Sequence, residues 1–445
     1  MEDSLKKKRG RPRKRSLSIS ETVNSSTQLK TKKKKSMDAL MAEDWKVVER
    51  GTFLLNKNSF LAQKNSVFLA PRNSTCIDIF LLLFESNVVK KCFGDSNERV
   101  DDFYKYLSLR MIMHGYPLPA EKVKNPERVN YVRAMMKLKE DHPSTVVWGC
   151  RQYFAKRDDF SINEKLMSGA FSEHWSSLIR VGESLAFDEK QRTWRGNSMF
   201  IHMNRAKPEP IGHMVCMLTA PLEASSIPYT VGIYAYQTNK KLGIHISAEM
   251  LMKWATDLIE RMHYIHQKPI IVNDCLYTTN ASREVHMNRA QPFIAAQKPS
   301  WWPAMESLLQ SKVPEPGTTA YAWSESKKLV VCCHFDPGRN GKRKYVVSNA
   351  FSYNIAPEYN KLNPPVYSEY AASFGACDQF NMRLSKNWYP YRSSHWEIHF
   401  EAIFLSMAFM NFYAICRHLL IISDTISFKD FLLSTGYLLA KKFFS

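Results

Sequence analysis

Three aspartates stand at the ends of strand-like or small-residue stretches, and their side chains are the best candidates for chemistry in this sequence. Asp188 follows the apolar run 185–187, Asp274 follows 269–273, and Asp378 ends the small-residue stretch 371–377. Carboxylates at strand ends can converge in space whatever their spacing along the chain. In two-metal phosphoryl transfer, a few carboxylates hold two divalent ions about 4 Å apart, one activating the attacking oxygen and one stabilising the leaving oxygen. Asp188, Asp274 and Asp378 therefore predict a site for Mg²⁺ or Mn²⁺.

The chain has a formal net charge of +20 at pH 7, and the charge is densest near residue 1. The first forty residues hold 13 basic and 4 acidic side chains, a net of +9, which leaves +11 for the other 405. A basic body of this size indicates a polyanionic partner. Double-stranded DNA is favoured over a membrane surface, because no basic amphipathic helix accompanies the charge. A nuclear import signal with an otherwise solvated surface is the alternative that composition leaves open.

Residues 1–45 are polar, charged and almost free of aromatic side chains, which predicts a disordered basic tail. Within it, one short core is flanked by further bases and resembles an AT-hook: Arg9, Gly10, Arg11, Pro12 and Arg13. Such a segment lies in the narrow minor groove of A·T-rich DNA, whose negative potential attracts arginine. The other interpretation is nuclear localisation, with 32–35 as a second basic cluster. The two roles are compatible, and both place the protein in the nucleus.

The cysteines and the apolar stretches exclude several classes of protein. Nine cysteines form no paired C-x-x-C motif, so reduced thiols are expected and no zinc site is predicted. Cys332, Cys333 and His334 adjoin one another, but neighbouring residues on a strand point to opposite faces. The longest uncharged stretch, 402–416, would span only about 22 Å as a helix, short of a ~30 Å bilayer core. It predicts a buried helix and no membrane partner.

The hydrophobic pattern predicts an α/β protein. The length of 445 residues predicts two or more domains, because it exceeds the size at which a single hydrophobic core stops growing. Helical periodicity dominates 72–183, with one helix starting near Asp78 and another over 101–114. From residue 185 the pattern changes to short strands, notably 213–219 and 230–236. A helix over 247–267 then leads into the strand before Asp274. Strands near 319–323 and 328–335 lie in an insertion-like segment, and a long helix runs to about 422.

Several short motifs occur in an order that resembles the piggyBac family of DNA transposases. Residues 187–196, around the first aspartate, are similar to the family's D-E-x-x-x-x-[FW]-[KR]-G block, and 207–212 to its K-P-x-x-x-G block. Residues 273–279 resemble the strand end D-x-[FY]-[FY]-[ST]-[ST], and 370–378 resemble Y-N-x-x-x-G-G-V-D. Trp396 and the segment through Asn411 resemble the family's tryptophan and N-A-containing helix. The resemblance covers roughly 74–420 and rests on the order of the blocks.

This resemblance implies an RNase H-like catalytic core with an inserted subdomain, plus a mainly helical dimerisation and DNA-binding domain split between the segments before and after the core. The chain would then divide into the basic tail 1–45, a first helical part 72–183, the core 184–300 and 366–387, an insertion domain 301–365, and a second helical part 388–445. It implies a homodimer that carries out cut-and-paste transposition, in which water and then a DNA 3′-hydroxyl attack phosphodiesters at TTAA-type sites. Asp188, Asp274 and Asp378 would each be a Mg²⁺ ligand.

Three departures from the family pattern bear on activity. Asn381 occupies the position of a fourth acid and binds a cation less strongly than a carboxylate does. Ala376 replaces the second glycine before the third aspartate, and no Cys/His array follows Cys416 and His418. Two functions therefore remain open: a metal-dependent transposase, and a domesticated nuclear protein that binds DNA or chromatin without cutting it. A nuclear scaffold of unrelated fold is the third alternative. If a helix starts at Asp378, Asn381 lies one turn further on the same side.

Overall fold

The computed structural model describes residues 45–48, 53–55, 65–71, 73–93, 96–115, 169–194, 196, 198, 200–204, 210–223, 225–237, 245–264, 268–298, 309, 315–324, 326–336, 342–353, 365–388 and 396–444. The helices in these ranges are α1 (Cys76–Leu83), α2 (Ser86–Phe93), α3 (Asn97–Gly115), α4 (Ser172–Ser177), α5 (Ala248–Ile259), α6 (Asn280–Asn288), α7 (Pro365–Lys386), α8 (Trp396–His418) and α9 (Phe428–Phe443). The strands are β1 (Trp45–Val48), β2 (Phe53–Leu55), β3 (Val67–Phe68), β4 (Ile179–Arg180), β5 (Ser184–Thr193), β6 (His202–Met203), β7 (Ile211–Ala220), β8 (Tyr229–Tyr236), β9 (Ile270–Asn273), β10 (Phe293–Gln297), β11 (Thr319–Ser324), β12 (Leu329–Phe335), β13 (Arg343–Ser348) and β14 (Phe351–Tyr353).

A ten-stranded mixed sheet organises the molecule. Its order is β1-β11-β12-β13-β10-β9-β5-β7-β6, and β8 pairs with β7. Strand β9 runs parallel to both neighbours, β5 and β10, whereas the other pairings are antiparallel. The strands of 319–348 continue this same sheet. The chain is therefore α/β with a mixed sheet, as the sequence predicts.

Helices cover both faces of the sheet. On one face a large core joins the central strands to α1, α3, α5, α8 and α9. On the other face a smaller core includes Val272, Ile294, Cys332 and Val346, with Tyr370 and Phe374 of α7 packed against it. Strands β9 to β13 thus alternate their side chains between these two cores, whereas successive residues of β5 (185–187) and β7 (215–218) all belong to the large core.

Adjacent cysteines on β12 show this alternation directly. Cys332 belongs to the core under α7 and Cys333 to the core on the opposite face. Both are fully buried, and burial raises the pKa of the Cys332 thiol well above its usual value. The prediction that the two side chains point apart is confirmed.

The helical side forms where local signals agree with the apolar pattern. Thr75 and Asp78 make a reciprocal capping box at the start of α1, which fixes the helix end that the sequence predicts near Asp78. Helix α3 begins four residues before the predicted 101–114 helix, and α5 ends at Ile259, earlier than the predicted 267. The predicted helix over 402–416 lies within α8. Its part Ile398–His418 is long and apolar enough to cross a membrane, but its most apolar stretch is buried within the protein, as predicted.

Polar side chains tie α8 and α4 to strand β8. The Asn411 amide accepts a hydrogen bond from the Thr230 N–H at 2.8 Å and donates one to the Thr230 carbonyl at 2.7 Å. Ser172 does the same for the backbone of Ile233. These side chains help to satisfy the backbone groups of a strand that would otherwise be an open edge.

Candidate functional site

Asp188 and Asp274 lie side by side at the centre of the sheet. Strands β5 and β9 are parallel, with Phe187 opposite Asn273, so the two aspartates are the next residues along each strand. Adjacent strands lie about 4.8 Å apart, which makes the two backbones immediate neighbours. Asp188 continues inside β5 and is only 7 % exposed, whereas Asp274 follows the last residue of β9 and is half-buried.

The turn after β9 is built by short-range capping. Asp274 is the N-cap of a 3₁₀ turn, and its Oδ1 accepts a hydrogen bond from the Cys275 N–H at 2.5 Å. Thr279, two residues after the last residue of this turn, caps α6 in a reciprocal box with Ser282. Two successive caps fix the backbone that carries Asp274 to the end of the strand.

Asp378 lies in the interior of helix α7, so the strand-like interpretation of 371–377 is wrong, and the helix does not start at Asp378. The small residues of this stretch let α7 approach the sheet closely. The Cys377 thiol lies 3.5 Å from the Thr219 hydroxyl and 4.0 Å from the Ala186 carbonyl. Asp378 is the next residue along and is exposed. Helix α7 thus places Asp378 next to strands β5 and β7.

Tyr370 lines the same cleft as Asp274 and Asp378. Burial raises the pKa of Tyr370, and the negative charges of Asp274, Cys275, Asp188 and Asp378 raise it further. Sequence reasoning did not single out Tyr370. A signal was present, since Tyr370 opens the motif that Asp378 closes.

Asn381 also reaches the site, through its amide nitrogen. Its Nδ2 donates a hydrogen bond of 3.1 Å to Oδ2 of Asp188, while its Oδ1 is buried and has no hydrogen-bond partner among the described residues. Turning the amide over would place that oxygen against the carboxylate, so the orientation follows from electrostatics. The prediction that position 381 can reach an ion held by Asp378 stays a prediction, and in the structure Asn381 presents a donor to Asp188.

Lys190 is a second residue that sequence reasoning missed. Its Nζ donates to the Asn381 carbonyl at 3.1 Å and to the Ser385 hydroxyl at 2.5 Å, near the end of α7. Lys190 is two residues after Asp188 on β5, and the side-chain period of a strand places both on one face. The ammonium therefore holds α7 over the strand that carries Asp188.

The donor set suits a hard cation, although the side chains are not gathered around one point. Mg²⁺ and Mn²⁺ take oxygen ligands, and the three carboxylates with the Asn381 Oδ1 supply them. Across the described ranges, however, no group of three or more His, Cys, Asp or Glu side chains is arranged to hold a metal ion. The residues thus fit Mg²⁺ or Mn²⁺ in their chemistry, and binding would require the side chains to move together. The AT-hook residues Arg9, Gly10, Arg11, Pro12 and Arg13 lie outside the described residues.

Comparisons with other proteins agree with this architecture at the level of the fold. No protein-family model matches the sequence, and no curated protein matches it either. Among solved structures, the chain is similar to the piggyBac transposase in a cryo-EM structure of its synaptic complex with hairpin DNA. The identity is 13 % and the TM-score 0.58, over 86 % of this chain and 83 % of that one. The chain has a piggyBac-like fold. The resemblance inferred from the short motifs is confirmed at that level.

Proposed function

We propose that this protein is a DNA transposase of piggyBac type, which cleaves and joins DNA strands with Asp188, Asp274 and Asp378. The observation that carries the proposal is the placement of the three aspartates: Asp274 and Asp378 line one cleft, and Asp188 neighbours Asp274 in the sheet. Two of these aspartates lie abreast on parallel strands in the middle of the sheet. Carboxylates grouped at strand ends are the ligand set of metal-assisted phosphoryl transfer.

The strand order supports the RNase H-like core within the proposal. An antiparallel meander, β5-β7-β8, adjoins β9 and β10, which run parallel to β5. This core would comprise 184–300 and 366–387, with 301–365 as the insertion domain, whose strands β11 to β13 extend the core sheet. The segments 72–183 and 388–445 would form the helical dimerisation and DNA-binding domain, for which the packing of α1 and α3 against α8 and α9 is the support. The basic tail 1–45 would add nuclear import and affinity for A·T-rich DNA.

Asp188, Asp274 and Asp378 would hold Mg²⁺ or Mn²⁺, which would activate the attacking oxygen and stabilise the leaving oxygen of a phosphodiester. The protein's own residues prepare that site. The strands fix the backbones of Asp188 and Asp274, and Lys190 fixes α7 and therefore Asp378. Asn381 orients the Asp188 carboxylate through its amide. Neighbouring carboxylates produce a negative potential, so the site attracts positive charge.

The test is a nicking assay on supercoiled DNA that contains TTAA, in Mg²⁺ and in Mn²⁺, with Asp188→Ala as the inactive variant. Asp257→Ala is the matched control, because Asp257 is an exposed acid paired with Arg289 away from the site. We expect cleavage by the wild type and the control, and a loss of at least about a hundredfold in Asp188→Ala, the effect typical of removing an essential catalytic group. Equal cleavage by all three proteins would point to a contaminating nuclease and exclude the aspartate site.

The second candidate function is DNA or chromatin binding without cleavage. It is favoured by the Asn381 amide, which occupies an oxygen of Asp188 with a donor, and by the absence of a metal-ready group in the described ranges. Such a protein would bind duplex DNA and leave it intact in both metals. Binding without nicking, in wild type and control alike, would select this function over transposition.

A further inference from the structure

A cleft of about 540 Å³ opens beside the aspartates, between helix α7 and the sheet. One wall is a stripe on α7 with helical spacing, formed by Tyr367, Tyr370, Phe374 and Asp378. The opposite wall comes from β13 and from the end of β10. Asp274 also lines the cleft, so its contents would lie against two of the three aspartates. A volume of this size suits one small molecule or one nucleotide and excludes a DNA duplex.

The helix wall presents aromatic rings in a fixed arrangement. The rings of Tyr370 and Phe374 are nearly parallel, 15° apart in plane with centroids 5.4 Å apart, and both residues are half-buried. The Tyr367 ring stacks on the His334 ring, with the two ring centroids 4.4 Å apart. Rings whose rotamers are fixed by neighbours lose little entropy when a planar ligand stacks on them. The wall is therefore suited to a flat aromatic group such as a nucleobase.

The opposite wall contributes cations. Lys298 and Lys344 line the cleft and are exposed, whereas the Arg343 guanidinium lies over the Phe335 ring on the other face of the sheet. The Lys344 ammonium is partly engaged, because it donates to the Tyr367 hydroxyl at 2.9 Å and pairs with Asp336 at 2.8 Å. Lys298 is close enough to the turn after β9 for its charge to act on the Cys275 thiol. Lys298 and Lys344 are therefore the cations that a phosphate in the cleft would meet.

We propose that this cleft binds one unstacked nucleotide of a single-stranded DNA segment, with the base on the Tyr370–Phe374 rings and the phosphate on Lys298 and Lys344. Stacking rings beside a basic wall are the usual means of holding a separated strand. This inference rests on the proposed function only in taking DNA as the ligand, and it does not require cleavage. Asp274 and Asp378 repel a phosphate from their end of the cleft, which favours its binding at the lysines.

The first test measures binding of the full chain to a fluorescent oligothymidylate of about twelve nucleotides and to a duplex of the same length. Lys298→Ala removes an exposed charge, and Lys253→Ala, on the exposed side of α5, is its matched control. Phe374→Ala removes one stacking ring, and Tyr264→Ala is a half-buried aromatic control outside the cleft. We expect about a tenfold loss of single-strand affinity for each cleft variant, no change for the controls, and unchanged duplex affinity. Equal losses on both DNA forms would overturn the subsite, since that is the behaviour of general phosphate contacts.

A second measurement stays informative if Phe374→Ala fails to fold. An oligothymidylate carrying 5-iododeoxyuridine, irradiated with the wild-type chain, should cross-link to Tyr370 or Phe374, and mass spectrometry would locate the adduct between residues 362 and 383. Cross-links confined to other peptides would refute the cleft as the binding place. Failure of the proposed function is seen separately: Asp188→Ala should lose nicking and keep the cross-link, whereas a protein that never nicks but cross-links here would be a DNA binder with this subsite.

Discussion

Asn381 lies on the same helix as Asp378, and its amide donates a hydrogen bond to the Asp188 carboxylate. This hydrogen bond holds the Asp188 carboxylate in place when no cation is bound. Sequence alone predicted that position 381 reaches the site, from the one-turn spacing to Asp378. It could not predict that the amide nitrogen would be the group presented to Asp188. Nor could it find Lys190 or Tyr370, whose roles arise from how α7 packs over β5. Contacts between segments about 190 residues apart leave no local pattern to read.

Replacing Asn381 with aspartate should make the stability of the protein depend on divalent cations. The new carboxylate loses the hydrogen bond to Asp188 and faces it with like charge, which should cost about 1–3 kcal/mol in the presence of EDTA. Mg²⁺ or Mn²⁺ should restore that loss by binding the folded state. Differential scanning fluorimetry with and without metal measures both effects.

Asn381→Ala is the control for this prediction, because it also removes the hydrogen bond but adds no charge. Its melting temperature should fall and stay low in both metals. A Tm of Asn381→Asp that ignores Mg²⁺ and Mn²⁺ would show that position 381 does not face a cation site.

Helix α7 shows why element boundaries were only partly predictable. The stretch 371–377 has small residues without clear periodicity, so its helical state is set by the stripe of Tyr367, Tyr370 and Phe374 against the sheet. Where local signals are strong, as at Thr75 and Asp78, the helix start was predicted correctly. Strands 211–220 and 229–236 were also found, because their apolar runs are long. The order of ten strands could not be predicted, since pairing joins segments far apart in sequence.

Two glycines in helices should respond oppositely to alanine. A Cβ on Gly436 of α9 would lie 2.9 Å from the Ser108 carbonyl and 2.9 Å from the Met111 Cβ, so Gly436→Ala should force α3 and α9 apart and destabilise by about 1–3 kcal/mol. A Cβ on Gly375 of α7 would meet nothing within 4 Å, so Gly375→Ala should stabilise by up to about 1 kcal/mol through helix propensity. Urea unfolding of both variants measures the difference. Destabilisation by both would mean that α7 lies closer to its neighbours than described.

At the scale of the whole molecule, the chain combines a doubly covered sheet with several histidines buried in apolar surroundings. Burial lowers the pKa of His213 to about 3 and of His286 to about 3, which keeps both neutral at physiological pH. His213 shares a hydrogen bond of 2.7 Å with His399, whereas neither ring nitrogen of His286 has a partner among the described residues. Such groups make the stability of the folded state sensitive to acid.

Stability should therefore fall as the pH drops below about 6.5, the usual histidine value in an unfolded chain. Between about pH 6.5 and 3 the unfolded state binds a proton at His286 and the folded state does not, so stability is complete above this window and is lost within it. At pH 5 the loss is about 2 kcal/mol for this one residue. His286→Phe should remove that part of the pH dependence, as measured by denaturant unfolding at pH 7 and pH 5. His263→Phe, at an exposed histidine, serves as control, and equal slopes for all three proteins would contradict the prediction.

The basic tail should dominate nonspecific DNA affinity. Each phosphate neutralised by Lys or Arg adds roughly 0.9 to the salt slope, and the first forty residues carry 13 such side chains. Deleting 1–40 should weaken binding to duplex DNA and flatten its dependence on salt. Replacing Arg9, Arg11 and Arg13 with alanine should reduce affinity for A·T-rich duplex more than for G·C-rich duplex. If the truncated protein binds A·T-rich DNA with unchanged affinity and salt slope, the tail acts in nuclear import instead.

The pairing of early with late segments also determines when the protein can fold. The Phe68 N–H bonds to the His418 imidazole, 350 residues further along the chain, and helix α3 packs against α9. A nascent chain therefore exposes the apolar face of α3 until α9 has left the ribosome. Folding dominated by such distant contacts is slow, and its intermediates are prone to aggregate. We expect the yield of soluble protein to depend on chaperones during synthesis, and a chain that stops before residue 428 to be recovered mainly as aggregate.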